Sequence, residues 1–400
     1  MAATSVQLSP VAPFTRSIIG LMSSWLAFCR AEAHWLRQTI ERLVTLESPS
    51  HDKAAVDRLG SELASRLRAM GGAVDVLGEP RAGDHLRAQF GTGSPRILLL
   101  GHFDTVWPVG QLDRMPLVER DGRLYGPGVF DMKAGIGIGM LATRAWLEAA
   151  PPKGSVRLLL TTDEELGSHT SRGIIEEEAR QSNAVFVLEP ALPGCVLKTA
   201  RKGCGEFQLT IHGVPAHAGV DPAKGVSAIV ELAHQILGFE RLRDLEHGIS
   251  VNVGLVDGGS RPNVVAERAT ARIDVRAPTM ADAARLTEQM LAIQPVLPGA
   301  RLEITGGFER PPLERGPGVV RLFEHARAVA GEIGVRIDEG STGGGSDGNF
   351  TAAVGVPTLD GLGAIGDGAH ALHEHVEVAS LPERAALVAG LIDRVVRMGV

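Results

Sequence analysis

Aromatic residues are scarce in this 400-residue chain, at 4%, and Tyr125 is the only tyrosine. Cysteine is scarcer: Cys29, Cys195 and Cys204 are an odd number without the spacing of a thiolate metal site. They read as reduced thiols of a cytosolic protein, which leaves no disulfide framework. No basic run offsets the formal charge of -7, and a pI near 6.0 argues against a nucleic-acid partner. No apolar stretch is long enough to cross a bilayer, so no membrane partner is expected. A dinucleotide loop is missing too, because Gly135-Ile136-Gly137-Ile138-Gly139 lacks the Gly-x-Gly-x-x-Gly spacing and follows a loop. Gly343-Gly344-Gly345-Ser346-Asp347 has no lysine for phosphates and is read as backbone N–H groups brought close to a substrate.

What is present, 44% hydrophobic and 22% charged residues, fits a soluble globular protein. The length exceeds one ordinary core, so two domains are expected. Ser17 to Phe28 is mildly apolar behind Arg16, and Ala31-Glu32-Ala33 could serve as a cleavage site. Ser23, Ser24 and Arg30 fit a signal peptide poorly. The stretch is therefore read as the start of an amphipathic helix through Trp35, Ile40, Leu43 and Val44. The expected location is cytoplasmic, with secretion left open.

Helical period is expected over residues 23–47 and 53–70, where Gly71-Gly72 stops it. Strand-length apolar runs follow at 73–77, 86–90, 96–101, 156–162 and 184–188, with a helix from Gly135 to Ala149 between the third and fourth. This alternation predicts an α/β fold, an α/β/α catalytic domain around a mixed, largely parallel sheet. Beyond residue 200 the pattern changes. Phe207, Leu209 and Ile211 alternate with polar residues, as in an antiparallel strand with one wet face. A helix from Gly225 to Phe239, strands at 249–255 and 268–276, a helix at 280–293 and a strand at 301–305 complete a β-α-β-β-α-β, ferredoxin-like α+β order. Pro311-Pro312 marks the exit. A helix at 317–333, a strand near 355–360 and a helix from Leu381 to Met398 then resume the first domain. The expected division is 30–199 with 312–400, an inserted module at 200–311, and an N-terminal extension at 1–29.

Three of the strand-like runs empty into side chains that can bind metal. Ile97 to Leu100 leads to His102 and Asp104, Leu158 to Leu160 leads to Glu164 and Glu165, and Ala184 to Leu188 leads to Glu189. Their ends would meet at one edge of the sheet, where open α/β sheets bind ligands. His102 and Asp104, at i and i+2, let the carboxylate orient a ligating imidazole, although alone the pair is as readily structural. Gly126-Pro127-Gly128 projects Asp131, which could bridge two cations or simply cap a helix. In the Glu164-Glu165 pair one carboxylate can bind metal while the other takes a proton from water, whose pKa a cation lowers from 15.7 to about 7. The same base can then protonate a leaving amine; a solvated acidic strand end is the alternative. His370, His373 and His375 crowd six residues, of which only one need be a ligand. Lys133 is read as solvated or ion-paired. Asn349-Phe350-Thr351 matches a glycosylation acceptor, which means little without secretion.

Taken together, five segments stand in the order found in the dizinc aminoacylase and carboxypeptidase family, which the chain resembles from about residue 35 onward. They are Gly101-His102-Phe103-Asp104-Thr105-Val106, Tyr125-Gly126-Pro127-Gly128, Thr162-Asp163-Glu164-Glu165-Leu166-Gly167-Ser168, Leu188-Glu189-Pro190 and Thr342-Gly343-Gly344-Gly345-Ser346-Asp347. That family includes acetylornithine deacetylase, succinyl-diaminopimelate desuccinylase and the bacterial glutamate carboxypeptidases, to which the likeness is greatest. The resemblance implies two Zn2+ ions, with Co2+ or Mn2+ as alternatives. His102 and Glu189 would complete one metal site, Glu165 and His370 the other, and Asp131 would bridge them. Glu164 would be the general base and Asp104 the support of His102. The bond after the bridging aspartate, here Asp131-Met132, is expected to be cis. His370 is preferred to His373 because Glu374 and Val376 follow it in the family pattern, although His373 itself stands where Asn or Asp is usual.

The resemblance also makes the inserted module a lid and dimerisation domain, so a homodimer is implied. Ala216-His217-Ala218-Gly219 is similar to a motif whose imidazole stabilises the oxyanion across the dimer. Asn263 and Arg276 match substrate-holding positions, Arg276 suiting a carboxylate, and Gly344 lies in the glycine loop expected beside substrate. By residue type alone, His217 reads as a loop residue and Arg276 as a surface ion pair. The implied activity is glutamate carboxypeptidase-like: hydrolysis of an amide or peptide bond next to a free C-terminal carboxylate, with metal-bridged water as nucleophile. The alternatives are an N-acyl-amino-acid deacylase or dipeptidase of the same family and, more remotely, an inactive protein that binds an amino-acid-like ligand.

Overall fold

A computed structural model describes the backbone of residues 18–148 and 153–400, and side chains from Trp25 onward. The apolar stretch behind Arg16 therefore begins outside the described residues, and Ala149 lies outside them too. Three helices come first: α1 (Ile18–Ala31), α2 (Ala33–Thr45) and α3 (Lys53–Ala69). The single helical period expected over 23–47 is broken at Glu32, whose φ/ψ of -93°/10° departs from helix. Leu36, Ile40, Leu43 and Val44 are buried on α2 at helical spacing, and Trp25 and Cys29 of α1 join the same core. The stretch expected as an extension thus contributes two side chains to the interior.

Next come β1 (Ala73–Leu77), β2 (His85–Gly91), β3 (Arg96–His102), β4 (Val118–Arg120) and β5 (Arg123–Tyr125). They are followed by α4 (Ala134–Glu148), β6 (Ser155–Thr161), α5 (Arg172–Arg180), β7 (Ala184–Val187) and β8 (Val196–Arg201). The second pattern holds β9 (Gly203–His212), α6 (Ala228–Glu240), β10 (Ser250–Gly258), β11 (Arg268–Ala277), α7 (Met280–Leu291) and β12 (Arg301–Arg310). The chain ends through α8 (Pro317–Glu332), β13 (Asp338–Thr342), α9 (Gly348–Ala353), β14 (Thr358–Leu359), β15 (Gly366–Asp367), β16 (His375–Glu377) and α10 (Leu381–Met398).

The main sheet runs β1-β2-β6-β3-β7-β14. Strands β6, β3, β7 and β14 are parallel, while β2 lies antiparallel to β6 and to β1. Alternation along β3 shows why both faces are covered. Ile97 and Leu99 enter the large core with α2, α4 and α10, whereas Leu98 and Leu100 pack with Ile175 and Ala179 of α5 and Phe350 of α9. The result is an α/β/α sandwich with a mixed, largely parallel sheet. The glycine run in α4 serves this packing: a Cβ on Gly135 would stand 2.0 Å from the Leu188 carbonyl oxygen, and one on Gly137 2.8 Å from Ile40. Close approach of α4 to the chain after β7 and to α2 accounts for those glycines.

The second sheet runs β10-β11-β9-β12 and is antiparallel throughout, the ferredoxin-like order. Phe207, Leu209 and Ile211 are buried under α6 and α7, while Glu206 and Gln208 face out. Strand β12 continues past the expected end at 305 to Arg310, with a bulge between Phe308 and Arg310. Entry and exit of this module lie side by side: Cys204 pairs with Arg310, and Arg201 exchanges backbone hydrogen bonds with Leu313 at 2.9 and 3.0 Å. Asn349 is buried at that crossing, its Nδ2 donating to the carbonyls of Lys202 (3.1 Å) and Pro311 (2.7 Å).

Two small sheets were not expected from sequence, a parallel β13-β8 pair and a β15-β16-β5-β4 sheet. Strand β13 reads Asp-Glu-Gly-Ser-Thr, with no apolar alternation, and the four strands of the β15-β16-β5-β4 sheet are two or three residues long. No helix among the described residues is long and apolar enough to cross a membrane.

Candidate metal centre

Strands β6, β3 and β7 are neighbours, so their C-terminal ends share one edge; His102 pairs in register with Thr161. Just beyond β6 the chain makes one tight helical turn over Glu164–Leu166, closed by Gly167 at φ 97°, a left-handed conformation that glycine adopts freely. Asp104 is fully buried beneath this turn and binds it to β3. It accepts from the N–H groups of Glu164 and Glu165, both at 3.3 Å, and from Ser50 Oγ at 2.7 Å. His102 Nδ1 lies 3.1 Å from the Asp104 carbonyl and 3.3 Å from its carboxylate. The other imidazole nitrogen therefore faces outward, with Nε2 3.2 Å from Asp131 and 3.5 Å from Glu189.

Asp131 sits on the loop between β5 and α4, and its bond to Met132 is cis, as the resemblance implied. That loop hangs on one carboxylate. Glu374, buried, accepts from the N–H groups of Phe130 (2.9 Å) and Asp131 (3.1 Å) on one oxygen, and from Gly128 N–H (2.9 Å) and Trp107 Nε1 (2.8 Å) on the other. The second Asp131 oxygen lies 3.5 Å from His370 Nε2, which is 3.2 Å from Glu165. His370 adopts φ 60° and its side chain is half exposed. His375 instead turns its Nδ1 to the His373 carbonyl at 2.8 Å and stacks near Tyr125, away from the carboxylates.

Two triads result, His102/Asp131/Glu189 and Asp131/Glu165/His370, each with ligand atoms within 4.8 Å of one another. Imidazole nitrogen and carboxylate oxygen are the donors that zinc and similar divalent cations take. One Glu165 oxygen is buried without any hydrogen-bond partner, an unmet demand that a cation fits. The charges packed around the site act in the same direction. Burial opposes the His102 imidazolium, yet bonds to Asp104, Asp131 and Glu189 raise its pKa well above the ordinary range. His370 is raised to about 10 by Asp131 and Glu165, and burial raises Glu164 and Glu165. So many carboxylates in one buried place draw in positive charge, as protons or as cations.

Several residues here had gone unread in the sequence. Arg310 reaches Glu164 at 3.1 Å and Asp347 at 3.1 Å; its only visible signal was its place before the Pro311-Pro312 exit. Arg201 is shared by Asp360 (2.7 Å), Glu189 (3.5 Å) and the Gly344 carbonyl (3.1 Å), and lies in no recognisable motif. Lys133 corrects an expectation: it is neither solvated nor ion-paired. It is buried, its Nζ donates to the Leu46 carbonyl at 2.9 Å, and burial pushes its ammonium pKa down to about 7.

The structure does not bring His217 or Asn263 to this cluster within one chain. Both are exposed in the antiparallel module, where the His217 ring accepts from Gly219 and Val220 N–H at 3.1 Å and the Asn263 carbonyl accepts from Ala218. Arg276 is held by Asp274 through Nε (3.0 Å) and Nη2 (2.7 Å) and touches Cys204. Gly344 is exposed, with open space where a side chain would stand.

Residues 98–394 match peptidase family M20/M25/M40. The chain is 32% identical over 365 residues to carboxypeptidase G2 of Pseudomonas sp. (strain RS-16), covering 89% of this chain and 88% of that protein. It is 31% identical over 356 residues to succinyl-diaminopimelate desuccinylase of Xanthomonas euvesicatoria pv. vesicatoria, covering 83% and 92%. Among solved structures, aminopeptidase PepT from Bacillus cereus superposes with a TM-score of 0.77 at 24% identity, over 91% of this chain and 98% of that one, a likeness of fold.

Proposed function

The chain belongs to peptidase family M20/M25/M40, and from that premise we propose a zinc-dependent exopeptidase that cleaves an amide or peptide bond next to a free C-terminal carboxylate. The observation that carries this reading is the pair of triads sharing Asp131, with Glu164 beside them and outside both. His102, Glu189 and Asp131 would hold one cation, and Asp131, Glu165 and His370 the other. Bound there, Zn2+ supplies Lewis acidity toward the amide carbonyl and lowers the pKa of water. Glu164 accepts the proton of the attacking water and returns it to the departing amine. Asp104 orients His102 and, through its two backbone bonds, keeps the base beside the ligands. Arg276 would exchange Asp274 for the substrate carboxylate at its fork, Gly344 would add a backbone contact, and Asn263 would reach the substrate from a second copy of the chain.

A homodimer belongs to the same proposal. Ile229, Val230 and Leu237 of α6 and Leu255 and Val256 of β10 are each about half exposed or more, beside an unpaired sheet edge. Apolar surface next to an open edge is suited to a second copy, from which His217 would reach the neighbouring site to steady the oxyanion. Three free cysteines accord with a cytoplasmic location. The likeness to a desuccinylase favours, as a second reading, an N-acyl-amino-acid deacylase using the same residues on a different acyl group.

The test is hydrolysis by zinc-loaded protein of N-acetyl, N-succinyl and N-benzoyl amino acids and of Ala-X dipeptides, with and without chelator. Chelator-sensitive release of C-terminal Glu or Asp supports the carboxypeptidase reading. Preference for other residues or for succinyl groups moves the substrate to the deacylase branch. Silence across the panel with two metals bound favours an inactive ligand-binding protein.

A further inference from the structure

One guanidinium reaches from the antiparallel four-stranded sheet into the metal-site edge of the main sheet. Arg310 is the last residue of β12, so its backbone belongs to the antiparallel sheet, where it pairs with Cys204. Everything its side chain binds belongs to the α/β/α sandwich. Its Nη2 donates to the Glu164 carbonyl (3.0 Å) and Ser168 Oγ (2.8 Å) and lies 3.1 Å from the Glu164 carboxylate; its Nη1 donates to Asp347 at 3.1 Å. Asp347 accepts in turn from Thr161 Oγ1 at the end of β6, at 3.1 Å. The guanidiniums of Arg310 and Arg172 both lie over the Phe350 ring, each 4.9 Å from its centre, and Arg172 also donates to the carbonyl of Glu309 at 3.1 Å. The fork is thus held at both Nη atoms and lies over an aromatic ring.

A buried guanidinium must be matched by acids, and its planar donors impose direction as well as charge. Here the acids are Glu164 and Asp347, and the direction is set by where β12 ends. The bulge at Phe308–Arg310 is the local device that turns the side chain toward the β6 turn.

We infer that Arg310 is a positioning residue for Glu164: it fixes the carboxylate and main chain of the base and transmits the seating of the antiparallel sheet to it. The inference rests on Glu164 being the base. Arg310 acts through Glu164, so its removal must do nothing further once Glu164 is disabled. A displacement of the antiparallel sheet, which anchors Arg310 but none of its partners, must likewise be felt first at the Glu164–Ser168 turn.

The experiment compares R310M, R310K, E164Q and E164Q/R310M as full-length zinc-loaded protein, with N-benzoyl-L-glutamate and Ala-Glu as probes and metal content measured for each. R310M is expected to lower kcat by at least about 100-fold, in the range of a lost general base, with KM moving less than about threefold and two metals retained. R310K, which keeps charge without the fork, recovers part of the loss. The double variant turns over no slower than E164Q. Multiplied penalties in the double variant, an undiminished kcat in R310M, or a loss confined to KM would overturn the inference. Undiminished turnover by E164Q alone would instead remove the base reading, a distinguishable result. Hydrogen exchange gives a readout without substrate and in the folded R310K protein: amides of residues 163–168 should exchange faster while β3 does not change. Unchanged exchange there counts against the inference even if neither probe is hydrolysed.

Discussion

Replacing Glu374 by glutamine alters chemistry without altering shape, and the structure sets the size of the effect. The carboxylate accepts four hydrogen bonds, two on each oxygen, from Phe130, Asp131 and Gly128 N–H and from Trp107 Nε1. Glutamine keeps one oxygen and presents an NH2 group to the other two donors. Two hydrogen bonds to a charged acceptor are then lost, at about 1.5–3 kcal/mol each, or about 3–6 kcal/mol together. Because Asp131 is one of the donors, zinc affinity should fall with stability. Urea unfolding in chelator measures the first effect and zinc titration the second. So large a loss approaches the whole stability of an ordinary domain, about 5–15 kcal/mol, and Trp107→Phe supplies a milder companion that removes one donor alone. A loss below about 1 kcal/mol in Glu374→Gln, with zinc affinity unchanged, would refute the claim that this carboxylate holds the Asp131 loop.

Four further outcomes are expected. Asp360→Asn leaves the buried Arg201 guanidinium without its bidentate partner and should cost about 3–5 kcal/mol in urea unfolding; a cost near zero would show the pair to be dispensable. Glu231 is buried, and although burial opposes its charge, bonds from Gln235 and the N–H groups of Val296 and Leu297 hold its pKa below the ordinary 4.5. A depressed carboxylate stabilises the fold above about pH 4.5 and loses that contribution as pH falls through its folded pKa, so Glu231→Gln should cost about 1–3 kcal/mol at pH 7 and flatten the acid limb of the stability curve. The Cys29 thiol, pushed up to about 12 by burial, should resist iodoacetamide at pH 8 while the partly exposed Cys204 labels; equal rates would contradict the packing of α1. Ile229→Asp with Leu255→Asp should yield monomer by sedimentation if the α6–β10 face joins two copies, and an unchanged oligomer would place the interface elsewhere.

In the main sheet β3, β6 and β7 were legible as short apolar runs buried on both faces, which stand out even without alternation. The antiparallel module was legible for the opposite reason, the strict period of Phe207, Leu209 and Ile211. What escaped notice was structure made by contact alone. Strand β13 carries no hydrophobic signature because it is completed by β8 and sits in a polar stretch. The break at Glu32 has no glycine or proline to announce it. At the centre, side chains at strand ends could be read one by one, since chain position alone sends His102, Glu165 and Glu189 to one edge. Arg310 and Arg201 reach that edge from distant parts of the chain, and no local spacing records the meeting, whereas Glu374 was visible after His370 but not its four donors. Lys133 looked solvated because charge usually is; only the folded chain shows the Leu46 carbonyl waiting for it.

The adjoining entry and exit of the antiparallel module have a consequence for the modularity of the chain. Cys204 and Arg310 are paired neighbours on antiparallel strands, so their Cα atoms stand only about 5 Å apart. A gap of that size can be closed by a turn of two to four residues. Excising the intervening hundred or so residues would therefore leave two ends already in place to be joined, each tied to the remaining body through Arg201–Leu313 and Asn349. The larger sheet is in this sense a host for an exchangeable guest, and of the elements at its C-terminal edge the Glu164–Ser168 turn, through Arg310, is the one tied to which guest is present.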